Sequence, residues 1–111
     1  MARYVTIFRW KPENAREAFQ ITQSLPNRTA PKEILAAAAK IKIISQNFCP
    51  YNNLSIVIYE IDEKDFVETS LITMYFQGVF SMETYPVLNE ADSTKLNQMF
   101  IKAIPGVMER E

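Results

Sequence analysis

The chain has 111 residues, of which 48% are hydrophobic and 23% charged. That is enough for one compact domain with a workable core, and too little for two. Its 12 basic and 13 acidic residues leave a net charge of −1, without the basic excess that neutralises nucleic-acid phosphates, so no nucleic-acid partner is expected.

Residues 3–10, "RYVTIFRW", read as a strand of β-branched and aromatic types. Tyr4, Thr6, Phe8 and Trp10 alternate with Val5, Ile7 and Arg9, so both faces carry apolar groups. "KPEN" opens a helix, with Pro12 at the first helical position, where its missing N–H costs nothing, and Glu13 near the positive end of the dipole. Ala15, Ala18, Phe19, Thr22 and Leu25 share one face of it, and Pro26 ends it. After "PNRTAP", the run "KEILAAAAK" has high helix propensity. It is either a separate short helix or the second half of a bent one.

Strands are expected at 41–48, "IKIISQNF", and 54–61, "LSIVIYEI", joined by the turn "CPYNN". Asp62 is the expected N-cap of a helix running to about Gly78, with Phe66, Val67, Ser70, Leu71 and Met74 as its apolar stripe. Ile72, Tyr75 and Phe76 widen that stripe towards a second contact surface. Residues 80–87, "FSMETYPV", form a fourth strand, placed at an edge or strand end by Pro86. Asp92 or Ser93 caps a last helix with Leu96, Met99, Phe100, Ala103 and Ile104 on one face. Pro105–Gly106 stops it, before a frayed tail. The expected boundaries are a single α+β domain over 1–111, a core over 3–88 and a C-terminal helical extension over 92–104.

The order β-α-β-β-α-β plus a helix is the split βαβ arrangement: a ferredoxin-like α+β fold, a four-stranded antiparallel sheet with helices on one face and the first strand between the third and fourth. The expected bare face carries Tyr4, Thr6, Phe8 and Trp10, too apolar to leave in water. A partner subunit, a ligand or the C-terminal helix must cover it.

"YVTIFRWKPENAREAF", "NFCPYNNLSIVIYEID" and "FSMETYPVL" resemble the dimeric α+β barrel proteins, in particular their small bacterial and archaeal families without assigned activity. The resemblance implies a homodimer whose two sheets close into a barrel around a small cavity. It also offers an alternative: a cofactor-independent monooxygenase or isomerase acting on an aromatic or polyketide-like substrate, with Trp10 and Asn47 imagined in its working roles. The haem-degrading members need a histidine that is absent.

The lack of histidine further excludes Ser–His and Cys–His nucleophile activation and histidine-ligated zinc. One cysteine closes no internal disulfide. Cys49 has no activating neighbour and reads as a small residue ending a strand, and Tyr51, Asn52 and Asn53 as turn chemistry. No acidic loop or Gly-rich loop points to a metal or nucleotide, so no cofactor is expected. Arg3–Glu60 and Arg9–Glu83 are expected cross-strand ion pairs; a buried Glu83 beside Tyr85 would instead be a candidate base. Candidate residues for a small apolar ligand are Thr6, Phe8, Trp10, Asn47, Tyr59, Glu83 and Tyr85. Tyr59 and Glu60 lie on opposite faces, so one of them looks into the cavity. No apolar run reaches the roughly 20 residues that span a bilayer, and "MARYVTIFRWKPEN" lacks a signal-peptide pattern. A cytoplasmic location with no membrane partner is therefore expected. A regulatory βαββαβ module of the amino-acid-sensing kind would place a glycine in the first β–α turn, and "RWKPEN" has none.

Overall fold

A computed structural model describes residues 1–104. The expected stop at Pro105–Gly106 and the tail lie outside the described residues. The elements are β1 (Ala2–Arg9), α1 (Ala15–Gln23), α2 (Lys32–Ala38), β2 (Lys42–Cys49), β3 (Leu54–Ile61), α3 (Phe66–Phe76), β4 (Ser81–Val87) and α4 (Glu90–Ala103). All strand pairs are antiparallel, in the order β2-β3-β1-β4. This is the ferredoxin-like arrangement, with the first strand between the third and fourth.

Local chemistry sets most boundaries. Pro12 opens a 3₁₀ turn, Pro12–Asn14, that leads into α1. The β2–β3 turn ends on Asn53 in the left-handed conformation, φ 52° and ψ 47°, which asparagine tolerates better than most residues. The Asn53 carbonyl also accepts the Trp10 N–H at 3.1 Å, fastening the end of β1 to the turn. α1 and α2 are separate helices. Between them the Ser24 carbonyl accepts the N–H groups of Thr29 and Ala30, and Arg28 turns the chain at φ 57°. α4 begins earlier than Asp92, because the Asn89 side chain caps it by accepting the Asp92 N–H at 2.8 Å. The expected cap Asp62 instead precedes a 3₁₀ turn, Glu63–Asp65, and its side chain makes no capping bond.

The core lies between one face of the sheet and α1, α2 and α3. Ala18, Ala30, Ile34, Ala37, Ile72, Phe76 and Phe80 are buried there, with Phe8, Trp10 and Met82 packed against them. The rings of Phe8, Phe76 and Phe80 meet edge to face, with centroids 5.5–5.7 Å apart, a geometry worth about 0.5–1.5 kcal/mol per pair beyond area burial. Ala37, fully buried, sits where α2 packs beside α3. Lys40, just after α2, pairs with Glu68 and Asp65.

Three sets of side chains face otherwise than the sequence suggests. Tyr4, Thr6, Phe8 and Trp10 do not stand on a bare face. Phe8 and Trp10 pack into the helix-side core, Trp10 stacks on Phe48 at 5.4 Å, and Tyr4 lies 6.0 Å from the Phe66 ring of α3. Long rings fill the deep space between sheet and helices, while the shorter aliphatics of β1 take the other face. The stripe of α3 is also rotated. Thr69, Ile72 and Phe76 are buried, whereas Val67 is 85% and Met74 64% exposed. This helix is apolar nearly all round, so the ring of Phe76 meeting Phe8 and Phe80 decides its rotation. For the same reason of packing, Ala18 rather than Phe19 faces the core from α1.

α4 buries none of its residues. The described residues extend over 54 × 35 × 18 Å with a radius of gyration of 17.6 Å, against about 13 Å for a compact chain of this length. The shortest dimension matches one sheet and one helix layer.

Candidate functional site

The second face of the sheet is the surface that lacks a covering layer. Strand register and the two-residue alternation of side chains define it. Four rows cross it from β2 to β4. Lys42, Glu60, Arg3 and Val87 make the first, and Ser45, Ile58, Val5 and Tyr85 the second. Asn47, Ile56, Ile7 and Glu83 make the third, and Cys49, Leu54, Arg9 and Ser81 the last. A register shift between Ile43 and Ser45 puts an irregularity at Ile44 and keeps Ser45, Asn47 and Cys49 on this face.

The centre of the face is aliphatic: Val5, Ile7, Leu54, Ile56 and Ile58. All five are only half-buried, shielded by strand neighbours rather than by a layer above. β-Branched residues suit the two central strands, and the same side chains make a flat apolar surface. Charged groups bound it at two ends. Arg3 donates to Glu60 at 3.1 Å, and Lys42 stands 3.8 Å from the same carboxylate. At the other end Arg9 pairs with Glu83, with both side chains nearly half exposed. The Tyr85 hydroxyl donates to the second oxygen of Glu83 at 3.0 Å. That hydrogen bond, with the carboxylate charge beside it, raises the Tyr85 pKa above its ordinary value.

The two expected ion pairs therefore form. Glu83 is exposed rather than buried, and its carboxylate is already engaged by Arg9 and Tyr85. Asn47, Glu83 and Tyr85 share the open face. Thr6, Phe8, Trp10 and Tyr59 lie on the helix side, together with the rest of the aromatic row. Tyr59 accepts or donates a 2.7 Å hydrogen bond with Thr6, whose hydroxyl also meets Thr84 at 2.8 Å. Of Tyr59 and Glu60, it is Glu60 that looks out from the open face. Cys49 is a free, half-buried thiol at the end of β2, opposite Leu54. Among the described residues no group of three or more Cys, Asp or Glu side chains is placed to hold a metal ion, and no helix is long and apolar enough to cross a membrane.

Sequence reasoning missed Val5, Ile7, Ile56 and Ile58 as the centre of the exposed surface. Their signal was present: in β1 the aliphatics alternate with the aromatics, and the aromatics are the larger set that a helix layer needs.

No protein-family model matches the chain, and no curated protein matches it. Among solved structures, a dimeric ferredoxin-like protein from an uncultured marine organism is similar at 15% identity and a TM-score of 0.46, over 81% of this chain and 97% of that one. The fold assignment made above rests on strand order and register.

Proposed function

We propose that the chain works as a homodimer in which two open sheet faces meet and close an α+β barrel, with room between them for a small apolar molecule. One observation carries this reading: the open face has an aliphatic centre with its charges at the margins, already paired. That is the anatomy of an association surface, apolar in the middle and polar at the rim. A solvent-facing sheet would instead alternate to polar residues on this side. The ion pairs at the margins leave little net charge to repel a second copy across a two-fold axis.

The groups that would meet a ligand at the edge of such a space are Asn47, Glu83 and Tyr85. The Tyr85 hydroxyl, its proton given to Glu83, supplies an acceptor, the Asn47 amide supplies both donor and acceptor, and the five aliphatics supply the apolar wall. Of the two residues imagined for cofactor-free oxidation, Trp10 stacks on Phe48 on the helix side, whereas Asn47 stands on the open face opposite Ile56.

Sedimentation velocity over a dilution series tests the reading, with Ile7→Asp as the variant. Ile7 sits at the centre of the face, opposite Ile56 and Glu83. Ile7 is already part-buried in its own protomer, so pairing adds less than the about 1.5–3 kcal/mol of full burial. At roughly 1 kcal/mol per copy, the two copies in a dimer amount to about 2 kcal/mol, roughly thirtyfold in dissociation constant, to which the carboxylate carried into the interface adds. A wild-type chain that remains monomeric throughout, or an Ile7→Asp dimer of unchanged affinity, refutes it.

A further inference from the structure

We infer that α4 is an exchanged arm: its apolar stripe packs on the second copy of this chain and completes the dimer that the open sheet faces begin. The inference rests on the dimer reading above and adds a second, separate contact to it.

The stripe is Leu96, Met99, Phe100 and Ile104, all about half exposed, with Ala103 between them. Their spacing puts them on one side of a helix. α4 makes no core contact in its own protomer, yet it is capped by Asn89 and runs for 14 residues. An isolated helix of that length is marginal in water, so its stability must come from packing. Two residues, Leu88 and Asn89, separate it from Val87, the last residue of β4. The helix thus emerges at the margin of the open face, where Val87 stands in the first row.

Area favours a second copy as the occupant. Four strands at about 4.8 Å spacing and seven residues at about 3.3 Å give the open face a footprint near ~450 Å². That is below the ~800 Å² per partner of a stable interface. A helix of this length is about 21 Å long and 10 Å wide, a footprint near ~210 Å². Each protomer gives one helix and receives one, so exchange adds about ~420 Å² per partner and brings the total to the required size. A membrane surface fits less well. α4 carries two acidic residues, Glu90 and Asp92, and two basic ones, Lys95 and Lys102, whereas membrane-surface helices are rich in Lys and Arg on the polar side.

The test uses the full-length chain with Leu96→Ser and Phe100→Ser together, and Thr94→Ser with Gln98→Ser as the control on the opposite side of the helix. Sedimentation gives the dimer dissociation constant, and circular dichroism checks that the sheet remains folded. The stripe variant is expected to dissociate about a hundredfold more readily, with the control unchanged. Intermolecular energy transfer between a donor-labelled and an acceptor-labelled α4 is expected in the wild-type dimer and lost in the stripe variant. A dimer insensitive to the stripe variant overturns the arm and leaves the sheet-face reading standing. A wild-type monomer overturns both. Binding of α4 to phosphatidylcholine–phosphatidylserine vesicles with an unchanged dimer constant also overturns the arm.

Discussion

Thr6→Val isolates the polar contact hidden beneath the helices. Thr6 is 3% exposed. Its hydroxyl lies 2.7 Å from the Tyr59 hydroxyl and 2.8 Å from that of Thr84. Valine keeps the volume and the β-branch and removes two hydrogen bonds at once. Each such bond contributes about 0.5–1.5 kcal/mol net. Thr84 is exposed and recovers a bond to water, whereas the half-buried Tyr59 hydroxyl is left without its partner. The expected cost is therefore about 1–2 kcal/mol, set mostly by the orphaned phenol. Tyr59→Phe alone should cost a similar amount. The double variant leaves neither end unsatisfied, and should cost less than the sum by about 0.5–1 kcal/mol. Urea unfolding at one fixed protein concentration measures all four corners of the cycle, because association adds to apparent stability. Strictly additive costs, or a Thr6→Val chain more stable than wild type, would refute the placement of these hydroxyls in one buried contact.

Phe76→Ala removes the ring shared by the two edge-to-face contacts with Phe8 and Phe80 and should destabilise the fold by about 3–5 kcal/mol, read by the same urea titration. Val67→Lys on α3 should change stability by no more than about 0.5 kcal/mol, while Ile72→Lys on the buried side should prevent folding; equal effects would mean that α3 is rotated otherwise. Tyr85 gains its hydrogen bond to Glu83 only while protonated. Its contribution is therefore full below the ordinary phenol value of about 10 and fades as pH rises through the elevated folded-state value. Phenolate absorbance should contain a late component from Tyr85, and Glu83→Gln should bring its midpoint back down.

Strand order, the ferredoxin-like arrangement and the two ion pairs were legible in the sequence because each has a local cause. Period-two alternation marks β1 and β3, Pro12 starts the first helical turn, and Asn53 closes the β2–β3 turn. Arg3–Glu60 follows once the strands are antiparallel, since the register sets them opposite. What was not legible is which side of the sheet the helices take. β1 offers an apolar row on both sides, and α3 is apolar nearly all round, so neither element alone distinguishes in from out. The choice is made jointly, by Phe8, Phe76 and Phe80 fitting together as rings and by Ala37 sitting at the α2–α3 contact. Such a choice lives in packing between elements far apart in the chain.

The same joint choice accounts for the surfaces left over. Committing the aromatic row of β1 to the helices exposes Val5 and Ile7, and with them Ile56 and Ile58 of β3. The aliphatic face is thus a consequence of the core, not an accident of composition. Helix coverage of one side uses α1, α2 and α3, and leaves α4 with an apolar stripe and no core to join. Both leftovers end at the same margin of the sheet, where β4 gives way to α4 at Leu88–Asn89. A chain that kept its aliphatic face for solvent would lose stability in every such residue, and one that kept a capped, amphipathic helix unpacked would lose it again. The two-fold association proposed above would resolve both, through the sheet face and through α4 as separate contacts of one dimer. The stripe variant and Ile7→Asp should then weaken the same equilibrium by independent amounts.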